Sequence, residues 1–303
     1  LRQNVYVRSS AYKKNVRRFS GNCTCRKGNA GKLNVSLCRL LYANSYNGLM
    51  LSFLTVLCLS GALLFPTFML CITYPLSHKW ALFWSDYITS RTARLVFAIL
   101  KYYRHFEFLG SKNERDGLPE QFVVVSNHQS LLDIVVYFKF FSDHVVRFVA
   151  KDTLGKVPMV GKMLRSQEHC MIPRKGGAAL AMKSIERLGE RVLERGQIPV
   201  IFPEGTRSRD GNLGQFYSAG FRRLEETVKL PVAVCALDGG WKISKLDSIL
   251  RNLYKGAYRV KILKVYPAPQ SKAEEKQILE EAPHLIQAQL DKWRALPDGS
   301  LEV

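Results

Sequence analysis

The spacing of apolar positions separates the chain into regimes. From Leu49 to Tyr74 nearly every residue is apolar apart from a few Ser and Thr, and no residue from Leu40 to His78 carries a full charge. A helix needs about 20 such residues to cross a bilayer. The run therefore suffices for a tilted span or for a deeply embedded helix interrupted near Pro66. A cleaved secretory signal has a shorter apolar core followed by a small-x-small site; no clear site of that kind follows here, so the run is read as an anchor. After Pro75, Trp80, Phe83, Trp84, Tyr87, Ile88, Leu95, Ile99, Tyr102 and Phe106 recur at spacings of three, four and seven, accompanied by Arg91, Arg94, Lys101 and Arg104. That is the pattern of an amphipathic helix. It suits a membrane interface, where rings sit at headgroup depth and cations meet phosphates, or else a domain helix with a solvated basic face. Basic residues flank both ends of the apolar run, so charge does not fix its direction of insertion.

From about residue 108 onward, short apolar runs alternate with helical periods. Gly110 to Pro119 reads as loop, strands are expected near 122–126, 146–150, 169–172, 198–202, 232–236 and 258–266, and helices near 131–142, 178–195, 215–229 and 273–294. Alternation of this kind predicts an α/β fold with a largely parallel central sheet flanked by helices. There is no internal repeat, and Pro297 to Val303 is expected to fray. The resulting division is 1–48, 49–107 for the membrane-attaching segment, and 108–303 for the α/β domain.

Composition changes this picture mainly at the N-terminus. The 303 residues carry a formal charge of +20, and residues 1–49 hold ten Lys or Arg and no acid, against 35 basic and 25 acidic residues in the remainder. Those first residues lack periodicity and place Gly21, Gly28 and Gly31 among Asn and Ser, which predicts a disordered basic tail. Such a tail is either a basic arm for an anionic surface or no part of the working protein; the second reading is preferred, because the first methionine is Met50, immediately before the apolar run. Of seven cysteines, Cys23 and Cys25 are the sole close pair and no Cys or His cluster completes a zinc site, so free thiols in a reducing compartment and no metal are expected. No phosphate-binding loop or dinucleotide fingerprint is present, and no bound cofactor or nucleic acid is implied.

Candidate chemistry lies where the expected strand ending Val123-Val124-Val125 turns into a helix, at Ser126-Asn127-His128-Gln129-Ser130-Leu131-Leu132-Asp133. In open α/β sheets ligands bind at such strand ends. Five residues apart, His128 and Asp133 can meet only if the histidine precedes the helix and the aspartate reaches back from its first turns. A carboxylate on one imidazole nitrogen then leaves the other to take a proton from a hydroxyl. Taken alone, the pattern is equally that of a buried histidine satisfied by a local aspartate. A second strand, Ile198 to Phe202, runs into Phe202-Pro203-Glu204-Gly205-Thr206-Arg207-Ser208. Gly205 permits close backbone approach, Arg207 offers a planar fork of donors to phosphate, and Glu204 is suited to orient an arginine or a hydroxyl.

Together these two blocks resemble the glycerolipid acyltransferases, and within them the 1-acyl-sn-glycerol-3-phosphate (lysophosphatidate) acyltransferases, over roughly residues 108–267. Asn127 to Asp133 match the first family block and Phe202 to Ser208 the second in full. A middle block is matched more loosely by 156–161 and 171–174, which makes Arg174 an acceptor-binding position, although Glu168-His169-Cys170 stands where a glycine and a small apolar residue are expected. The resemblance implies an acyltransferase; the apolar run attaches it to a membrane, and because thioester donors and free thiols belong to the cytosol its catalytic domain is expected to face the cytoplasm. It would move a fatty acyl group from acyl-CoA or acyl carrier protein to the sn-2 hydroxyl of lysophosphatidate, making phosphatidate. The resemblance assigns His128 and Asp133 to catalysis and Glu204 and Gly205 to the acceptor, while Thr206 and Arg207 are read with them as one phosphate clamp on the chemistry of their side chains. Backbone amides after Asn127, around Gln129 and Ser130, are expected to meet the oxyanion. Direct attack is preferred to a covalent Ser130 intermediate, since no second base is evident for that hydroxyl. Another lysophospholipid acceptor is the nearest alternative, and a non-catalytic lipid-binding module a distant one.

Overall fold

A computed structural model describes residues 31–110, 115–173, 177–243, 256–297 and 300; of residues 31–49, 103, 104 and 243 only the backbone is described. Contacts divide the chain into two units, Leu1–Leu51 and Ser52–Val303. In the first, the chain is already helical from Gly31, inside the segment expected to lack structure, and this helix α1 continues to Thr73. The correction has a simple cause. Once an apolar helix is nucleated, adding residues is cheap, and 31–49 contain no proline to stop it. Nor does Pro66 interrupt α1, which runs through it. The stretch Met50–Thr73 is long and apolar enough to cross a membrane, and little of it is buried.

Within the second unit, a turn at Pro75 leads to α2 (His78–Tyr87), a π turn (Ile88–Thr92) and α3 (Ala93–Arg104). The single amphipathic helix expected here is thus two helices with different jobs. Trp80 and Phe83 on α2 are exposed, whereas Phe97 and Leu100 on α3 are buried against the sheet. The α/β part contains β1 (Glu107–Leu109), β2 (Val123–Ser126), α4 (Leu132–Phe140), β3 (Val145–Lys151), α5 (Pro158–Ser166), β4 (Cys170–Ile172), α6 (Gly177–Glu194), β5 (Gln197–Ile201), α7 (Ser218–Val228), β6 (Val232–Asp238), β7 (Ala257–Tyr266) and α8 (Lys272–Ala295). The sheet order is β1-β7-β6-β2-β5-β3-β4, parallel at every junction except β6–β7.

Both faces of this sheet are covered, which is why its strands read as continuous apolar runs. Val124, Val200 and Cys235 point to one face, under α3 and α4. Val123, Val125 and Val234 point to the other, under α6, α7 and α8. The strand at the centre, β2, lies between β6 and β5. The chain leaving β2 goes to α4 on the first face, and the chain leaving β5 goes to α7 on the second. Their carboxyl ends therefore open a crevice between diverging connections, the place where α/β sheets hold ligands.

A buried polar chain ties the helices before the sheet to its far edge. His169 Nδ1 accepts the Phe148 amide at 2.9 Å and its Nε2 faces Gln167 Oε1 at 3.1 Å. Gln167 Nε2 in turn donates to Asp86 Oδ1 at 2.8 Å and to Thr89 Oγ1, in the π turn, at 3.0 Å. Burial, followed by the charge of Arg147, pushes the His169 imidazole down to about 3. It is therefore neutral, with its one hydrogen on Nε2 for Gln167.

Candidate active site

The turn between β2 and α4 is built by side chains that imitate backbone. The ladder between β2 and β6 ends at the pair Ser126 and Cys235. Asn127 then continues it: its Nδ2 donates to Leu237 O and its Oδ1 accepts Leu237 N, both at 2.8 Å. One residue on, His128 leaves the sheet. Asp133, in the first turn of α4, reaches back, and its Oδ2 accepts the amides of Gln129 at 2.7 Å and Ser130 at 3.0 Å while lying 2.7 Å from His128 Nδ1. A carboxylate at a helix N-terminus is favoured by the orphan amides and the helix dipole. The same placement solves the spacing problem of the pair. Facing a carboxylate acceptor, Nδ1 must carry the hydrogen, so Nε2 presents its lone pair. The Asp133 side chain is fully buried and that of His128 is 16% exposed.

The second block locks onto the first. Glu204 is buried, and its Oε1 accepts the amide of His128 at 2.8 Å while Oε2 accepts that of Gly214 at 2.9 Å. Ser208 N donates to His128 O at 2.7 Å. Thus both backbone groups of the histidine are held by the loop after β5. Burial pushes the Glu204 carboxyl above its usual range, opposed by those two amides. The turn itself closes with Gly205 N donating to Phe202 O at 3.0 Å, with Gly205 at φ +60°, a left-handed conformation that costs glycine little.

The residues singled out from sequence therefore divide. His128 and Asp133 meet as expected. Glu204, expected to face an arginine or an acceptor, instead has both carboxylate oxygens on backbone amides. The amides of 128, 129 and 130, expected to serve an oxyanion, are engaged by Glu204 and Asp133. Gln129 is buried, its Oε1 accepting Gly240 N at 3.1 Å and its Nε2 donating to Asp238 Oδ1 at 3.2 Å. Ser130 Oγ accepts Leu132 N at 3.2 Å and is buried, the geometry of a helix-start turn. Gly205, Thr206 and Arg207 are exposed beside this assembly, and Arg207 makes no ion pair with another described residue. Arg174 lies outside the described residues.

Two contacts were invisible in the spacing of motifs. Phe202 stacks on the His128 ring, with centroids 4.2 Å apart and planes 13° from parallel. Tyr258, on β7, donates its hydroxyl to Asp133 Oδ1, the oxygen not used by His128. Asp238 carries a further link, since Arg294 from α8 lies 3.3 Å from its Oδ1 and donates to Gly211 O at 2.5 Å. Among the described residues, no cluster of three or more His, Cys, Asp or Glu is placed to hold a metal ion.

A family model for acyltransferases matches residues 107–237, from the start of β1 into β6, and so encloses both blocks. That stretch of the chain is similar to the acyltransferase family. The chain is 29% identical over 144 residues to a 1-acyl-sn-glycerol-3-phosphate acyltransferase of Helicobacter pylori, covering 48% of this chain and 59% of that protein. It is 33% identical over 126 residues to the Pseudomonas aeruginosa protein of the same name, covering 41% of this chain and 48% of that one. The match thus spans less than two thirds of these relatives. The fold resembles the crystal structure of the 1-acyl-sn-glycerophosphate acyltransferase PlsC from Thermotoga maritima, with a TM-score of 0.57 and 20% identity over 84% of this chain and 98% of that one.

Proposed function

We propose that this acyltransferase moves a fatty acyl group from a thioester, acyl-CoA or acyl carrier protein, to the sn-2 hydroxyl of lysophosphatidate, forming phosphatidate at a membrane. The observation that carries the reading is the His128–Asp133 pair, 2.7 Å apart at the carboxyl end of the central strand, inside the matched domain. The names of the relatives supply the acceptor. His128 Nε2 takes the proton of the hydroxyl as its oxygen attacks the thioester carbonyl, and the Asp133 carboxylate stabilises the imidazolium. The tetrahedral intermediate collapses by breaking the C–S bond. The leaving thiolate then takes the proton from the imidazolium, leaving ester and free thiol. Direct attack suits a Ser130 hydroxyl that is buried in its turn and bonded to an amide. Thioester donors belong to the cytosol, so the catalytic domain faces the cytoplasm.

Purified protein is assayed with radiolabelled acyl-CoA and acyl carrier protein against a panel of lysolipids. The expected result is transfer to lysophosphatidate in preference to other acceptors, lost in a folded His128→Ala variant. Preference for another lysolipid would move the acceptor assignment, and turnover surviving His128→Ala would overturn the mechanism.

A further inference from the structure

We infer that Tyr258 is a positioning residue of the catalytic site, completing a relay from Tyr258 through Asp133 to His128. The inference rests on the acyltransferase reading above. Its basis is the way the four bonds to Asp133 are divided. Oδ2 carries three of them: the amides of Gln129 and Ser130 and Nδ1 of His128. Oδ1 takes the Tyr258 hydroxyl. Asp133 is fully buried, so the tyrosine stands where solvent would otherwise satisfy the second oxygen. Without that donor a buried carboxylate oxygen lacks its partner, and the carboxylate loses its restraint against turning about the Cβ–Cγ bond. Turning carries Oδ2 away from Nδ1.

Chemistry makes the choice of tyrosine specific. The hydroxyl is a donor and so suits a carboxylate oxygen, and with Oδ1 held by it Oδ2 stays against His128, which keeps the imidazole hydrogen on Nδ1 and the lone pair on Nε2. Burial first, and then the charge of Asp133, pushes the Tyr258 phenol well above its ordinary value, so it remains a neutral donor at any pH at which the enzyme works. Tyr258 reaches the pair from the antiparallel strand β7, 125 residues from Asp133. The backbone around it leaves no slack. A Cβ built on Gly240 would stand 2.2 Å from the Tyr258 hydroxyl oxygen and 3.1 Å from Asp133 Oδ1. Glycine at 240 thus leaves room for the phenol to stand against the carboxylate, and the same Gly240 donates its amide to Gln129 in the catalytic turn.

The test is a double-mutant cycle read by steady-state kinetics, with thermal melting of each variant. Tyr258→Phe keeps the ring and removes only the hydroxyl. Expected is a fall in kcat of about tenfold or more, the scale of one charge-assisted bond, with KM for lysolipid and thioester within about twofold of wild type. In an Asp133→Asn background the same change should cost nothing further, because residues acting as one unit do not add. Gly240→Ala, which crowds the hydroxyl without removing it, should lower kcat in the same direction, again with little change in KM. Unchanged kcat in Tyr258→Phe, or a loss that adds fully to that of Asp133→Asn, overturns the inference. The same holds for a raised KM alone. Failure of the underlying reading looks different: wild type then transfers no acyl group, or His128→Ala retains turnover.

Discussion

Glu204 and Arg207 sit three residues apart in the same block, yet their surroundings assign them opposite kinds of work. Glu204 has spent both oxygens on the amides of His128 and Gly214, so its contribution is to the shape of the site. Replacing it with Gln turns one acceptor into a donor facing an amide. A buried unsatisfied donor costs about 1–3 kcal/mol. Glu204→Gln is therefore expected to lower both melting temperature and kcat, leaving the KM for lysolipid nearly unchanged; a variant with full stability and only a weakened KM would return Glu204 to the acceptor. Arg207 is exposed and free of ion pairs among the described residues, in a loop whose next amide bonds His128 O. Lysophosphatidate offers a phosphate to such a fork. Loss of one charge-assisted contact is worth roughly 1.5–3 kcal/mol, about ten- to over a hundredfold. Arg207→Ala should accordingly raise KM for lysophosphatidate far more than for the thioester, and Arg207→Lys should restore only part, since the bidentate geometry is gone. If only the donor is weakened, Arg207 belongs to the donor site. At this scale the sequence revealed what local spacing can carry. His128 and Asp133 are five residues apart and were legible; Phe202 against His128 and Tyr258 against Asp133 meet only because the sheet brings distant strands together.

Among the elements, the central strands were readable because both their faces are buried and their residues are β-branched. Pro199 lies within β5, in register with Arg147 of β3, while β5 pairs with β2 only at Val200 and Ile201, beyond the proline. The elements that the apolar pattern does not mark are short or atypical. The edge strand β1 has three residues and is defined by pairing to β7. Helix α5 begins at Pro158, a favourable first position, but contains Gly161, which reads as a breaker. In the structure that glycine is a point of close packing, because a Cβ there would stand 2.1 Å from the Gly155 carbonyl oxygen. The departure from the family pattern at Glu168 also acquires a cause. His169 N donates to Leu164 O and Glu168 N to Arg165 O, the paired bonds that close a helix C-terminus, and Glu168 is left-handed at φ +54°. Glycine is the residue that this position favours. Glutamate there offsets part of the conformational cost, about 1 kcal/mol or more, with its ion pair to Arg195 at 2.5 Å, a partly exposed contact of small worth. Glu168→Gly should therefore raise the melting temperature or leave it unchanged, with kcat intact. A clear drop in melting temperature would mean that the Arg195 pair outweighs the backbone strain.

For the molecule as a whole, the question is which part of the chain is needed to put this site at a membrane. Every described residue of the site lies in the unit Ser52–Val303, and so does nearly all of the apolar stretch Met50–Thr73. At 1.5 Å per residue, those 24 residues make a helix of about 36 Å, longer than the roughly 30 Å hydrocarbon core of a bilayer. Phe53, Leu57, Leu64, Phe65 and Phe68 along it are exposed, as are Trp80 and Phe83 on α2, so apolar surface remains for lipid after the fold has formed. The end of α1 is also fixed to the domain it would anchor. Leu70 is fully buried with Ala81 and Ile88, with Met163 of α5 against them, and Lys162 Nζ approaches Cys71 Sγ at 3.4 Å. None of these contacts involves residues 1–49. Their ten basic side chains add only a screened electrostatic attraction to anionic lipid, whereas burying the apolar helix stabilises the attachment more strongly and is not weakened by salt. Protein begun at Met50 is thus expected to sediment with membranes at high and low salt alike and to turn over at the rate of the 303-residue chain. If it is instead released into the soluble fraction, or is held only at low salt, the basic segment contributes the decisive part of the attachment and the apolar helix does not suffice.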